Sequence, residues 1–442
     1  MNLPASHAGR PAPVCATLMP AAAASIDWHS IVIGAGPAGA AVAIRLARKG
    51  LRVLLVDRSS MPRPKVCGCC LSPLAMAELA DLRPCEAFPQ PLPLAAVCLV
   101  SAGRSARIPM PGGGVLSREA LDTGLVQQAI AAGADWLPNM RVESILEEPS
   151  DRDETGVAVV ACTTTTSPQM PLRFRGRVAV IAAGLADTIR IPSAGTAGSR
   201  VGSIVRHAGQ DRRDRHVLPG SRIGVGATLA AALGGLPADI IDLPHGELVM
   251  AVGRQGYCGL VRLEDGRIDL AAAVDKQLLA DAGSPAAAIA RLLERAAGRS
   301  PCHAGLHRLI TALPAATFRA TPALTHHSPR IAGASGRIFR VGDAASYVEP
   351  FTGEGMGWAL ASGRILANSL LGDIATAAAT YQAAHRRLFA VHHTRCRWVA
   401  RGVRRQGVVS AALRLARLMP RAAERAVPML VGAGISARSK RR

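Results

Sequence analysis

The stretch from Ile31 to Asp57 limits what this chain can fold into more than any other. It runs Ile31-Val32-Ile33-Gly34-Ala35-Gly36-Pro37-Ala38-Gly39, then a helical pattern, then Leu51 to Val56 closing on Asp57. The order is strand, glycine turn, helix, a turn at Gly50 and a second strand ending in a carboxylate. Gly34 permits the tight turn, Gly36 lets the backbone approach a pyrophosphate, and Gly39 lets the helix pack close on the strand. The helix then aims its free N–H groups at the phosphates. Asp57 stands 18 residues past Gly39, about the spacing at which a strand-end acid accepts from an adenosine ribose. Glycine-rich turns are common. With the strand, helix and acid in place, dinucleotide binding is the expectation, and an ordinary βαβ unit is the plain alternative.

A chain of 442 residues has room for a large core and two or three domains. No apolar run reaches the roughly 18 residues needed to span a bilayer. The formal charge of +21 suggests nucleic acid, but the basic residues are 48 arginines and four lysines, a usage that fits coding bias as well as function. Residues 381–442 hold 15 Lys+Arg against Glu424, so +14 of the +21 sits there. The ten cysteines are scattered except for Cys67-Gly68-Cys69-Cys70. A secreted disulfide scaffold would be short and cysteine-dense, so a reducing cytoplasm is expected. The first 26 residues are Ala/Pro-rich without periodicity, and prolines break the apolar segment that a signal peptide would need. A disordered extension, or a start codon assigned too early, is expected.

A Pro/Ser-rich loop from Ser59 to Lys65 leads into Val66-Cys67-Gly68-Cys69-Cys70-Leu71-Ser72-Pro73. Helical patterning covers Pro73–Leu82, and strands fall near Ala95–Val100 and Ser105–Ile108. Ser117 caps a helix whose Leu121, Leu125 and Ile130 share a face. Strands follow near Arg141–Leu146, Val157–Thr163 and Arg173–Arg175. The apolar run from Arg177 to Ala183-Gly184 has the character of a central parallel strand meeting a ligand. Residues 221–228 and 246–263 have strand character, and Glu264-Asp265-Gly266 is a hairpin turn. Ser284-Pro285 starts a helix reaching about Ala297. Gly224-Val225-Gly226 hints at a second nucleotide turn, but Leu229 takes the third glycine position. Arg337 to Val341 form a strand ending at Gly342-Asp343, and Pro350-Phe351-Thr352-Gly353-Glu354-Gly355-Met356 opens a helix to about Leu371.

Four pieces converge: the first glycine turn, Arg118 at a helix start, Ala182-Ala183-Gly184, and Gly342-Asp343. Together they resemble flavoproteins with the para-hydroxybenzoate hydroxylase type of FAD-binding fold, and within that group the geranylgeranyl reductase family. The motifs run from Ile31 to about Gly363. Gly342-Asp343 with Pro350–Met356 is the most specific part, and Lys65-Val66-Cys67-Gly68 with Leu71-Ser72-Pro73 points to the reductase branch. The resemblance implies FAD as cofactor, held by Gly34, Gly36, Pro37, Ala38, Gly39, Asp57, Arg58, Cys67, Gly68, Arg118, Gly184, Gly342, Asp343, Gly353, Glu354, Gly355 and Met356. It implies NAD(P)H as transient electron donor. Asp343 suits a ribityl hydroxyl. The helix from Gly355 would turn its positive end to the flavin's pyrimidine edge and stabilise charge there on reduction. Arg118 would meet the phosphate or adenosine region.

Cys67 stands where the reductases place a cysteine near flavin and substrate, so it is the candidate catalytic residue and proton donor; a small apolar filler is the alternative. Cys67 and Cys70 have dithiol spacing, but no convincing second nucleotide motif accompanies it and no second ligand pair supports zinc. Tyr257, the candidate substrate residue, is what survives of a Tyr-x-Trp-x-Phe-Pro stretch that lines the reductases' lipid cavity. Gly259, Val261 and Arg262 replace the rest, which opens the choice to a smaller or ring-containing substrate.

The expected fold is α/β: a Rossmann-like FAD-binding domain with an inserted α+β substrate domain built on an antiparallel sheet, and a helical C-terminus. The FAD-binding domain covers 27–194, with a small substrate-domain excursion near 85–115, and returns at 329–375. The substrate domain covers 195–328, and a basic helical region covers 376–442. The expected activity is reduction of carbon–carbon double bonds in a lipophilic or ring-containing molecule. Monooxygenation of an aromatic or polyketide-like substrate is the alternative, and a non-catalytic flavin-containing membrane or nucleic-acid binding protein ranks below it. Val408, Leu413, Leu415, Leu418 and Met419 interleave with Arg414, Arg417 and Arg421. That pattern suits a solvated helical face or a peripheral contact with the inner face of the membrane. Nucleic acid is disfavoured because Phe389 and Trp398 are the only aromatics near these arginines.

Overall fold

The computed structural model describes residues 10–82, 85, 87–150, 153–165, 171–192, 216–230, 243–298, 304–327, 331–333, 335–349, 351 and 353–419. The fold is α/β, with a Rossmann-like sheet, a second sheet and a helical C-terminal part.

The first sheet grows from the constraining stretch. Asp27–Ile33 pairs in parallel with Val53–Val56 on one side and Pro171–Ile181 on the other. Val53–Val56 pairs with Asp135–Leu137 and Pro171–Ile181 with Ile338–Arg340, both in parallel. The antiparallel strands Asp153–Thr163 and Met140–Ser150 extend the far edge. The central strands are apolar on both faces because helices cover one side and the antiparallel extension the other. Helices Pro37–Ala47, Arg118–Ala131 and Gly355–Leu370 bury their faces with Val32, Leu55 and Val180 in one core.

The second sheet runs Arg319–Ala323, Ile223–Leu229, Ile268–Val274, Gly256–Arg262, Glu247–Gly253, Leu92–Ser101, Arg104–Val115 and Cys70–Leu71. All its pairings are antiparallel except that of Glu247–Gly253 with Leu92–Ser101. The hairpin at Glu264–Gly266 falls between Gly256–Arg262 and Ile268–Val274. Helix Pro285–Ala297 covers one face, its Ser284 hydroxyl accepting from the Ala287 N–H.

Three expectations need correction. Residues 246–263 are two strands, Glu247–Gly253 and Gly256–Arg262, folded back at Arg254-Gln255, and a Cβ at Gly256 would sit 2.5 Å from the Ala273 carbonyl oxygen of the next strand. Arg173–Arg175 and the apolar run after Arg177 are one strand, Pro171–Ile181, passing through Gly176. Residues 10–26 are not a free extension. The Val14 N–H donates to the Met61 carbonyl, the Thr17 N–H donates to the Trp136 carbonyl, and Pro20–Ala24 forms a helical turn that buries Ala23. Of the expected domain segments, residues 1–9, 195–215 and 420–442 lie outside the described residues, as do Pro350 and Thr352. The C-terminal part that is described consists of helices Ala377–Val403 and Gln406–Leu418. Tyr381 anchors it by donating its hydroxyl to the Arg340 carbonyl at 2.7 Å. No helix among the described residues is long and apolar enough to cross a membrane.

Candidate functional site

The site begins at the glycine turn, where two kinds of glycine occur. Gly34 has φ +108°, and a Cβ on it would lie 2.4 Å from the Ala182 carbonyl oxygen. At Gly39 the added atom would be 1.9 Å from the Gly34 carbonyl oxygen, so both residues are glycine because protein atoms occupy the space. Gly36 differs. Its φ is −81°, and the nearest atom to an added Cβ is Arg118 Nη2 at 3.8 Å. At Gly68 the nearest atom is 4.0 Å away. Folding does not demand glycine at these two positions, and both open onto the same cavity.

That cavity holds about 390 Å³ between the two sheets. Gly36, Pro37 and Ala38 form its floor at the first helix, with Arg58, Cys67, Gly68 and Arg118 along one wall. Gly184 and Asp343 line it from strand ends of the first sheet, and Gly353, Gly355 and Met356 from the start of helix Gly355–Leu370. Tyr257 lines the end formed by the second sheet. Residues more than 300 positions apart in the chain thus share one wall.

The remaining expected positions act from behind. Gly34 and Gly39 shape the turn, and Gly342, at φ +58°, lets the strand end close against Ala38, whose Cβ would be 2.8 Å from an added Cβ. Glu354 is buried and faces Cys396, whose thiol donates to it at 3.6 Å, so only its backbone belongs to the helix start beside the cavity. Asp57 departs from the simple expectation. Its carboxylate accepts from the Ala35 N–H at 2.8 Å, the Ser59 N–H at 3.0 Å and Arg63 Nη1 at 2.9 Å, so it pins the glycine turn from within the protein.

Arg118 and Arg63 share the fully buried Asp122. Arg118 is bidentate on it at 2.9 and 2.8 Å, and Arg63 Nη2 stands 3.6 Å away. Burial disfavours the charged Arg118, but Asp122 and Cys67 more than compensate and hold it charged. Burial, with Arg63 and Arg118 nearby, pushes Lys65 down to about 8. Arg58, Arg63, Lys65 and Arg118 set four cations against Asp57, Asp122 and the acidified Cys67 thiol, a net positive surplus that suits a diphosphate. Arg63, Lys65 and Asp122 were not among the expected site residues; they sit in an irregular loop and mid-helix, where spacing carries no signal.

The thiols form the second cluster. The Cys69 S–H donates to the Cys67 carbonyl oxygen at 3.9 Å, and the Cys69 thiol beside it lowers Cys67 to about 6; burial opposes this, and Arg118 adds to the lowering. Cys69 is raised correspondingly. Cys67 Sγ lies 4.0 Å from Met356 Sδ. Behind the thiols, Asp269 is buried, and desolvation raises its carboxyl well above the usual range, with Cys67 adding to the effect. Asp269 lies within a strand with no motif, so sequence alone did not reveal it.

The far wall is apolar. Leu248, Met250, Tyr257, Leu324 and Phe351 line it, with the Tyr257 and Phe351 rings edge to face at 4.9 Å. Arg222 lies under Tyr257, 5.6 Å from the ring centroid, and pairs with Glu349 at 2.9 Å and Asp275 at 3.0 Å. The Gly224-Val225-Gly226 run is strand, not turn: a Cβ at Gly224 would lie 2.7 Å from Thr321 Oγ1, and one at Gly226 would lie 3.0 Å from the Leu270 carbonyl oxygen.

These features fit FAD. The turn, the cationic surplus and the side-chain-free approaches at Gly36 and Gly68 suit its diphosphate and ring. The Gly355 helix start carries no side-chain cap on the cavity side.

Comparisons with known proteins agree with this geometry. Residues 28–211 match the family described as pyridine nucleotide-disulphide oxidoreductase. A menaquinone reductase of Mycolicibacterium smegmatis is 26% identical over 377 residues, covering 84% of this chain and 82% of that protein. A geranylgeranyl diphosphate reductase of Rhodobacter capsulatus is 30% identical over 175 residues, 37% of this chain and 39% of its own. Among solved structures, a flavoprotein/dehydrogenase from Cytophaga hutchinsonii superposes with TM-score 0.67 at 14% identity, covering 92% of this chain and 93% of that one. A probable FAD-dependent monooxygenase from Pseudomonas aeruginosa gives 0.62 at 16% identity, covering 87% and 99%.

Proposed function

We propose that this chain, an FAD-dependent oxidoreductase, reduces a carbon–carbon double bond in a lipophilic or ring-containing small molecule, with NAD(P)H as transient electron donor. The observation that carries the reading is the single cavity joining the cationic glycine turn to an apolar chamber, with the Cys67 thiol at the junction. Reduced FAD supplies a hydride when bound. Saturating an alkene gives that hydride to one carbon and a proton to the other, so the chain must hold an acid where the substrate sits.

Cys67 is that acid in this reading. It faces the cavity, the Cys69 thiol lies beside it, and the buried Asp269 carboxyl, raised by desolvation, stands behind. Cys69 is the largest influence on its proton and Arg118 a smaller one in the same direction, so a bound anion that drew the Arg118 charge away would raise the thiol. Leu248, Met250, Tyr257 and Phe351 exclude water and hold the apolar part of the substrate. The relatives named for menaquinone and geranylgeranyl diphosphate reduction support an isoprenoid-bearing substrate.

The test is steady-state turnover of the FAD-loaded protein against a panel of alkenes, comparing prenylated quinones, free prenyl diphosphates and small ring substrates, with products identified by mass. A product carrying two added hydrogens on alkene carbons, its mass read after any quinol is reoxidised to the quinone, supports the reading. A product carrying one added oxygen, with no hydrogenated product from any alkene, replaces it with monooxygenation.

A further inference from the structure

We propose that the C-terminal helix pair docks this protein on an anionic phospholipid bilayer, with helix Gln406–Leu418 lying in the interface. The helix has two faces. Leu413 is buried, and Val409 packs with Val399 and Val403 of helix Ala377–Val403 against the apolar cluster containing Leu248, Met250 and Tyr257. Arg417 donates to the Ser105 carbonyl at 2.7 Å and Gln406 to Ser101 Oγ at 3.3 Å, which fixes the helix on the second sheet. The outer face carries Val408, Ala411, Leu415 and Leu418 at the i, i+3, i+7, i+10 spacing of one helical stripe, with Met419 just past the helix end. Leu418 is 81% exposed, Leu415 55% and Met419 53%. Near the joint between the helices, Trp398 is 68% exposed, with Arg401 over its ring at 6.0 Å.

Charge selects the occupant. Between Asp373 and Glu424 the chain has no acidic side chain, and nine arginines fall between Arg386 and Arg417. An apolar stripe bordered by Arg414, with Arg401 near the joint, is the composition of an interfacial helix, whose apolar side chains enter the acyl boundary while guanidinium groups meet lipid phosphates. A soluble acidic protein would not require the fully exposed Leu418, and a nucleic acid would need aromatic platforms that the stripe lacks.

The docking stands on this surface alone. Its use rests on the reading above: the inner face of the same helix pair packs on the wall of the substrate chamber, so a lipophilic substrate dissolved in the bilayer would be presented beside its site.

Sedimentation of the full-length, FAD-loaded protein with vesicles tests it. Mixed phosphatidylcholine–phosphatidylglycerol vesicles should bind the protein roughly tenfold or more tightly than pure phosphatidylcholine, and added salt should erode the difference. Leu415→Glu with Leu418→Glu should weaken binding to the mixed vesicles by roughly tenfold or more, with flavin content and melting temperature unchanged. The milder Leu418→Ser should weaken it in the same direction, which covers the case in which the double variant fails to fold. Equal binding of these variants and the parent overturns the proposal, as does equal binding to both vesicle types or retention by duplex DNA in place of vesicles. Vesicle binding without turnover of any alkene would leave the docking intact and remove only the proposed reaction.

Discussion

Replacing Gly36 with valine separates cofactor binding from folding. An added Cβ has Arg118 Nη2 at 3.8 Å as its nearest protein atom, and φ of −81° is ordinary for a side-chain-bearing residue. Gly36 is the N-cap of helix Pro37–Ala47, where exchanging glycine for valine costs about 1 kcal/mol. In a chain this long that lowers the melting temperature by no more than about 2 °C. The cofactor loses far more. Holding the backbone away from the diphosphate removes charge-assisted hydrogen bonds worth about 1.5–3 kcal/mol each, and losing two of them weakens FAD binding by roughly 10²–10⁴-fold. Gly39→Val is the contrast. Its Cβ would lie 1.9 Å from the Gly34 carbonyl oxygen, so backbone must move, at a cost of about 3 kcal/mol or more. Flavin-fluorescence titration of the apoprotein, with thermal melts in the absence of FAD, measures both effects. Binding of FAD by the Gly36→Val protein within about threefold of the parent would refute the reasoning. So would an apoprotein that melts as low as the Gly39→Val protein.

The remaining expectations concern the thiols, the buried ion pair and the aromatic wall. Because the thiolate is the nucleophile and Cys67 is lowered to about 6, iodoacetamide should modify Cys67 of the apoprotein with a rate that rises through about pH 6 and then levels off. Cys69→Ala removes the neighbouring thiol, so that midpoint should move up; an unmoved midpoint contradicts its influence. In turnover the sign reverses, since a proton-donating Cys67 is lost as pH rises through its pKa, and kcat should fall on the alkaline side. Arg222→Met leaves the 2%-exposed Glu349 with, among the described residues, the 3.6 Å ion pair to Arg404, and urea denaturation should show a loss of about 3 kcal/mol. Adding Glu349→Gln should recover part of it. Tyr257→Phe should change stability by less than about 0.5 kcal/mol, because among the described residues its buried hydroxyl has no partner. A raised KM at unchanged stability would identify that hydroxyl as a substrate contact.

What was legible in the sequence is what local geometry dictates. The turn at Gly34–Gly39 needs glycine at φ values and approaches no other residue tolerates, so it stands out in one dimension. The same holds for the serine caps: Ser117 and Ser284 each accept from the N–H three residues on, where expected. Asp57 was legible as a strand-end acid, but its partners were not, since Arg63 reaches it from an irregular loop. Asp269 and Arg222 matter because folding buries them among distant partners, and Asp122 because folding buries its i,i+4 pair with Arg118 and brings Arg63 to it; nothing in their sequence neighbourhoods distinguishes them from surface charges. Residues 10–26 lacked periodicity because they dock through backbone hydrogen bonds, the Thr17 hydroxyl and scattered apolar contacts of Val14, Leu18, Ala23 and Ile26 rather than through one helical or strand face.

The most direct measurement is an anaerobic single turnover. The FAD-loaded protein is reduced with one equivalent of dithionite, mixed with a prenylated quinone or prenyl diphosphate, and followed by the return of oxidised-flavin absorbance. Reoxidation without oxygen is expected, stoichiometric with a product that stays heavier by two hydrogen atoms after any quinol is reoxidised to the quinone, and slowed in Cys67→Ala. Flavin that stays reduced with every alkene until oxygen is admitted would contradict it.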